Sequence, residues 1–513
     1  MQESHRLIIN SFSVFCRVAL TMVIGLVLPP FVVHQLGREN FGVAVVVASV
    51  LNVIMLVQTG VPAATSRFVA AAKERGDRDE LNRVMGTSLA FLLACAGIGI
   101  VLVGLFACWP ELLLTWPASM PRQTVQWVII IMGILAVLGM PLGIGNVTFA
   151  GRERYVLLNL VHVGGSFLRF FMVYGLLLVF PGSIIAYAAS HSGAMAITFL
   201  VTFLLAMFLN KDSRISLAFA DAGMLRRMLS FGVVVMFADM ATLLYVQADY
   251  FLIGRLLNLE SVTIFSLSVL WFTAMHRVLS SMIAVVIPAA ARNQAAGNNA
   301  ALLVMFVRAT KYGLLVTIVP LSIFFFYRFQ LMDVWMGPGY GEVAVLMVPI
   351  LVTDIFFYAA MGGAQMLTGL GHPRILLVTT IICGVLNVGL ALLLGIVLEM
   401  GLMGFSLAYM IAMLVRNVII LPAFFMKVFQ LQLGQLFIKC YFRPLLCTVA
   451  TVPMVYVVWQ FIPGLSWFRL FLAAVVIIAL YIPLVGWIGM DAYDRNVVFR
   501  LVVKAAAKLG IRR

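Results

Sequence analysis

Seven ionisable side chains stand inside stretches made otherwise of apolar residues: Arg17, Arg169, Arg277 and Arg416, with Asp239, Asp249 and Asp354. At the centre of a membrane-crossing helix each would cost about 2.5–3.5 kcal/mol. They must therefore pair with one another, face the protein interior, or line a wet cavity. An arginine fork offers two parallel hydrogen bonds to an oxyanion and keeps its charge at any relevant pH, which suits phosphate. A carboxylate in a transporter core can instead hold Na+ or a proton and couple transport to an ion gradient. Two readings of the arginines stand side by side. Either they pair with the aspartates inside the bundle, or they face a cavity and take an anionic head group. The inner histidines His162, His191 and His276 read as packing residues.

The elements that must position these groups follow from composition. The chain has 513 residues, 64% apolar and 10% charged, with a mean hydropathy of +1.11. Soluble domains carry about 25% charged residues, so a soluble enzyme, a DNA-binding protein and a disordered chain are all excluded. A membrane-crossing helix needs about 20 mostly apolar residues. Such runs fall at about 10–33, 41–65, 85–108, 125–149, 156–180, 183–208, 231–254, 262–290, 309–327, 343–368, 375–397, 402–425, 445–462 and 469–489. The fold class predicted is an all-α polytopic membrane protein of about 14 transmembrane helices. The first run is longer than the apolar core of a signal peptide and is followed by many more, so it predicts a retained helix.

The net charge of +15 reflects the loops rather than nucleic-acid binding. With the N-terminus in the cytoplasm, 25 of the 34 Lys and Arg residues fall on cytoplasmic segments and 5 on outer loops. The positive-inside rule then places both termini in the cytoplasm. Six cysteines lie in or beside apolar runs with no C-x-x-C pair, which gives neither a disulfide framework nor a metal site. There is no Gly-Lys dipeptide and hence no P-loop, and no H-E-x-x-H, so ATP hydrolysis and zincin chemistry have no support.

Two hairpins look alike. Residues 10–75 run helix, outer turn, helix, then Pro62-Ala63-Ala64 and Arg67; residues 231–297 repeat this order and reach Pro288-Ala289-Ala290 and Arg292. Internal repeats of this kind build many transporters. They predict an N-lobe over 1–230 (helices 1–6), a C-lobe over 231–426 (helices 7–12), and a last part over 427–513. That part holds an amphipathic linker, helices 13–14 and a basic cytoplasmic tail. Segments 214–229 and 427–443 mix basic and apolar residues as interfacial helices do, and the tail 494–513 reads as a solvated, positive-inside end.

Several segments, taken in order, resemble the polysaccharide flippases of the multidrug/oligosaccharidyl-lipid/polysaccharide exporter superfamily. They are Asn10-Ser11-Phe12 with Arg17; Leu36-Gly37-Arg38-Glu39-Asn40-Phe41-Gly42; Thr59-Gly60 through Arg67; and Arg75-Gly76-Asp77. Further along come A-D-Y-F-L-I-G at 248–254, W-M-G-P-G-Y at 335–340 and T-G-L-G-H-P-R at 368–374. The resemblance covers nearly the whole chain and extends to O-antigen and lipid II flippases. It implies two six-helix lobes around a central cavity plus an extra helix pair. It also implies alternating-access movement of an undecaprenyl-diphosphate-linked oligosaccharide to the outer leaflet of the bacterial inner membrane, as in O-antigen or exopolysaccharide synthesis.

Arg17 and Arg277 occupy the helices whose arginines meet the diphosphate in lipid II flippases, with Arg169 and Arg416 as further candidates. The family's sodium position, among helices 7, 11 and 12, implies ion coupling through Asp239 and Asn387, and the core carboxylates Asp249 and Asp354 stand beside them as ion-coupling candidates on the general argument above. Ala391 stands one turn after Asn387 where an acid would complete such a site, which leaves the ion open between Na+ and H+. The partners implied are the lipid-linked glycan, membrane lipid, and the polysaccharide polymerase and glycosyltransferases of the same route. No cofactor, metal or nucleic acid is expected. An ion-coupled drug antiporter of the same superfamily is the competing expectation. A membrane-embedded glycosyltransferase or polymerase would need a large outer loop, and the outer loops around 109–124 and 328–342 are short.

Overall fold

The computed structural model describes the backbone of residues 2–58, 60–210, 215–283, 286–491 and 493–496. Side chains are described there except at 2–12, 57, 63, 231, 233–235, 237–246, 281–282, 288 and 373. The described regular structure is helical throughout. In chain order the helices are α1 (Gln2–Leu36), α2 (Arg38–Met55), α3 (Gly60–Arg75), α4 (Arg78–Cys108), α5 (Arg122–Leu142), α6 (Ile144–Gly151), α7 (Tyr155–Val179) and α8 (Ile184–Leu209). Then come α9 (Ala222–Leu256), α10 (Leu259–Ile283), α11 (Val286–Ala295), α12 (Asn299–Met336), α13 (Gly341–Gly369) and α14 (Pro373–Ala391). The chain closes with α15 (Gly401–Leu414), α16 (Leu421–Phe429), α17 (Leu433–Leu436), α18 (Phe442–Phe461) and α19 (Trp467–Leu484).

Among the described residues, 13 helical stretches are long and apolar enough to cross a membrane. They coincide with the expected runs apart from 231–254, which lies inside the 35-residue helix α9. Polar caps set many of the starts. Asp77, Ser183, Asp221, Asn298 and Ser466 each accept a backbone N–H from the first turn of the helix that follows. Such caps satisfy amides that have no partner inside the helix.

The structure departs from the sequence expectations at two places. The run 41–65 is not one helix: α2 ends at Met55, a 3-10 turn covers Leu56–Gln58, and α3 starts at Gly60. A side chain at position 60 would put its Cβ 2.1 Å from the Gly232 carbonyl oxygen, so α3 and α9 pack backbone to backbone there. Finally, neither 214–229 nor 427–443 forms a separate surface helix. Residues 222–229 open α9, and Leu433–Phe461 is one helical stretch. Pro444 cannot donate to the turn before it, and a π-helical turn over Phe437–Tyr441 carries the helix past it.

The chain divides into two compact units, Met1–Met282 with Thr380–Ala408, and Ile283–Thr379 with Tyr409–Arg513. This grouping by packing cuts across the boundary at 230/231 expected from the repeats. In the first unit α7 packs on α1 and α8, α5 on α4 and α8, and α9 on α2 and α3. Two apolar clusters fill it, one around Val43, Ile129, Ile253 and Phe405, the other around Val69, Met85 and Met228. In the second unit α12 packs on α13, α18 and α19, over a cluster that includes Phe306, Met366 and Phe425.

Candidate functional site

Helix α7 shows how the first unit separates polar from lipid-facing surface. Leu160, Phe167 and Phe171 are 63%, 43% and 64% exposed and share one side of the helix. Asn159, His162, Ser166 and Arg169, spaced at helical intervals, share the opposite side. A helix at 3.6 residues per turn thus turns Arg169 away from the apolar exposed face.

At one end of this polar side, the Asn159 amide donates to Ser13 Oγ of α1 at 2.8 Å. Four residues beyond Ser13, Arg17 lies within electrostatic reach of His162, and the His162 ring meets Asn146 Oδ1 at 3.2 Å. At the other end, Arg169 lies within electrostatic reach of Tyr187 and His191 of α8 and of Arg277 of α10. The Tyr187 and His191 rings are 5.4 Å apart, with the tyrosine hydroxyl 3.5 Å from Nδ1. From 261 to 280 every described α10 side chain is buried or half-buried except Arg277, which is exposed.

Of the two readings, arginine–aspartate pairing is not seen among the described residues of this unit. Arg17, Arg169 and Arg277 form no ion pair with a described carboxylate, and the Nε atoms of Arg17 and Arg169 are buried without a hydrogen bond. Asp249 is held by an amide instead. Asn387 Nδ2 donates to both its carboxylate oxygens, at 3.0 and 3.2 Å, and both residues are 1% exposed. The Asp239 side chain lies outside the described residues. Asp354 and Arg416 belong to the second unit. There Asp354 is buried with Oδ2 lacking a hydrogen bond, and Arg416 Nη1 donates to Asn417 Oδ1 at 3.2 Å. No group of three or more His, Cys, Asp or Glu able to hold a metal occurs among the described residues.

A second charged assembly was not singled out by sequence. In the second unit Lys311 of α12, 4% exposed, pairs with Asp494 at 2.6 Å and Asp491 at 3.1 Å. Arg308, one turn earlier, reaches Asp494 at 3.3 Å and stacks 4.8 Å from the centre of the Tyr493 ring. Burial alone would push the Asp491 carboxyl up, but the Asp494 backbone N–H and the Lys311 ammonium hold it down to about 2. The available signal was a lysine set among apolar residues of α12.

Residues 7–294 match the family described as polysaccharide biosynthesis protein. The chain belongs to that family. Among the curated relatives of this chain is the uncharacterized membrane protein EpsK of Bacillus subtilis (strain 168). The two are 21% identical over 418 residues, covering 80% of this chain and 81% of EpsK. Its fold is shared with the lipid II flippase MurJ in an inward closed conformation, with a TM-score of 0.71 at 13% identity, covering 96% of this chain and 100% of MurJ. It is also shared with an inward-facing multidrug resistance MATE family transporter of the MOP superfamily. There the TM-score is 0.63 at 15% identity, covering 82% of this chain and 98% of the transporter. These solved relatives are transporters, not enzymes, and this chain is a multi-pass membrane protein of the same fold.

Proposed function

We infer that this protein is a flippase. It carries an undecaprenyl-diphosphate-linked oligosaccharide from the inner to the outer leaflet of the bacterial inner membrane by alternating access, with both termini cytoplasmic. The observation that carries this reading is the set Arg17, Arg169 and Arg277, which has no described carboxylate to neutralise it. Arg17 and Arg169 are half-buried, and a guanidinium partly removed from water is stabilised by a counter-anion; a lipid diphosphate supplies one with the oxygen geometry the fork prefers. The family of polysaccharide biosynthesis proteins supports a glycan as the remainder of the cargo. The printed name of MurJ, a lipid II flippase, supports a lipid carrier. A drug antiporter would be better served by acids and aromatics in the same place.

Asp249 and Asn387 serve in this reading as the ion-coupling pair, taking Na+ or a proton. An acid buried against an amide has little other reason to persist in an apolar bundle.

The test is reconstitution in proteoliposomes with a fluorescent undecaprenyl-diphosphate sugar in one leaflet. Transfer that depends on the protein and on the diphosphate supports the flippase. No transfer, with efflux of a cationic dye instead, overturns it in favour of the antiporter.

A further inference from the structure

We propose that a cavity at one end of the first unit is a saccharide subsite, which holds the neutral sugar portion of the cargo on the outer side of the membrane. The inference rests on the flippase reading and deepens it by naming the part of the cargo that this cavity takes. The cavity has a volume of about 740 Å³, within the range of about 300–1,000 Å³ typical of small-molecule sites. Its walls come from the turn between α1 and α2, the segment leading into α5, the start of α8 and the start of α10. All of them lie within Met1–Met282 of one compact unit. With the N-terminus in the cytoplasm, each of these connections faces outward.

Three features of the lining select the ligand. The first is hydrogen-bonding capacity left open. Glu39, Ser119 and Thr124 line the cavity, and their side chains make no hydrogen bond or ion pair among the described residues. Asn40 donates its amide to the Leu36 carbonyl at 2.8 Å, which leaves its own side-chain oxygen to accept. A carboxylate, an amide oxygen and two hydroxyls supply both acceptors and donors, the mixture that sugar hydroxyls require. The second feature is charge. Arg38 is tied to Glu260 at 2.7 Å, and one arginine against two glutamates leaves the lining at a net −1. That sign opposes a diphosphate, so the cavity suits the sugar end of the cargo and not the phosphate end. The third is the lack of any aromatic ring in the lining, which gives an organic cation no ring face to sit on. The Arg38–Glu260 bridge joins two walls across 222 positions of sequence, so the cavity is held in shape before a ligand arrives.

The experiment is saturation-transfer NMR on the purified full-length chain in nanodiscs, with cellotriose and chitotriose as neutral probes and trigalacturonate as the acidic one. At least one neutral trisaccharide should bind, and trigalacturonate should bind about fivefold more weakly or worse. Ser119→Trp puts an indole into the cavity from an exposed position and should weaken the neutral probe by about tenfold. Glu39→Gln keeps hydrogen bonding but removes the net charge, so the gap between neutral and acidic probes should narrow by about threefold. Melting temperature guards against a folding defect. If Ser119→Trp melts below the wild type, the Glu39→Gln comparison decides alone. Binding of no trisaccharide, equal binding by a normally folded Ser119→Trp, a preference for trigalacturonate, or an unchanged gap in Glu39→Gln each overturns the subsite. Proteoliposome transfer of a lipid-linked sugar by the wild type separates the two claims. No transfer overturns the flippase reading itself, whereas transfer with the wrong probe pattern overturns only the subsite.

Discussion

Asn387 donates its side-chain amide to both carboxylate oxygens of Asp249, at 3.0 and 3.2 Å, across 138 positions of sequence. The contact joins α9 to α14 inside the first unit, with both residues buried. One amide on both oxygens occupies part of the carboxylate's acceptor capacity and leaves further lone pairs for a cation or a proton.

The first prediction follows from that pair. Asp249→Asn should flatten the dependence of transport on the Na+ or H+ gradient while protein levels hold, because an amide replaces the acid at similar volume. Transport measured in proteoliposomes under each gradient in turn decides the matter. An unchanged gradient dependence removes the coupling role.

Arg17 and Arg277 should be sensitive to the shape of their charge. Arg→Lys keeps a cation but loses the fork, so export should fall, and Arg→Ala should lower it further. Membrane abundance should stay near normal, since removing an intramembrane charge lowers insertion cost. Complementation of glycan export read together with a membrane blot checks this. Normal export by both Ala variants would falsify the assignment.

Gly60→Ala should destabilise the first unit. Its Cβ would fall 2.1 Å from the Gly232 carbonyl oxygen, and backbone displaced by overpacking costs about 1–3 kcal/mol. Gly97→Ala is the matched control. Nothing lies within 4 Å of its Cβ, and replacing a helical glycine there should be neutral or gain about 0.5–1 kcal/mol. Melting temperatures of the two purified variants should move apart.

Lys311→Met should be among the more damaging single changes in the second unit. It leaves Asp494, with a side chain 7% exposed, without its nearest cation. Breaking a buried pair from one side costs about 3–5 kcal/mol. Adding Asp494→Leu should recover much of the loss, as apolar replacement of both partners often does. Thermal unfolding of both variants reads this directly.

The same cluster gives a pH dependence with a definite sign. The Asp491 carboxyl lies below its ordinary value of 3.8, at about 2. Its contribution is therefore present above pH 3.8 and lost as pH falls toward 2. In a Lys311→Met background that acid-induced loss should shrink, which melting curves between those pH values would reveal.

The membrane-crossing helices were legible because hydrocarbon demands long apolar runs, and a run is visible in sequence. Helix breaks were harder. The turn at Leu56–Gln58 stands just before the close approach of Gly60 to Gly232, residues far apart in the chain. The seven intramembrane charges were legible by type, but their partners were not. Periodicity could not say that Asn387 would meet Asp249, because that depends on how α14 is rotated against α9. Lys311 looked like an ordinary positive-inside residue, since its two carboxylates lie 180 and 183 positions later. The lipid-facing side of α7 could have been read from Leu160, Phe167 and Phe171, and with it the inward direction of Arg169.

Gly37, with φ of 79°, is the single residue between the end of α1 at Leu36 and the start of α2 at Arg38. The Arg38 guanidinium is tied to Glu260 at 2.7 Å, and its carbonyl accepts from Thr263 Oγ1 at 2.6 Å. The Leu36 end of α1 is therefore pinned to the start of α10 and has almost no slack. Just before it stand Pro29 and Pro30 inside the helix, which supply no N–H to the preceding turn and make that point easy to bend. Helix α1 thus has the mechanics of a lever with its fulcrum near the fixed end. Arg17 rides twelve residues, about 18 Å, out along the arm, so a 10° flex at the prolines would carry its guanidinium about 3 Å sideways. A small change of angle at one end of the helix becomes a displacement of hydrogen-bond size at the charge it carries.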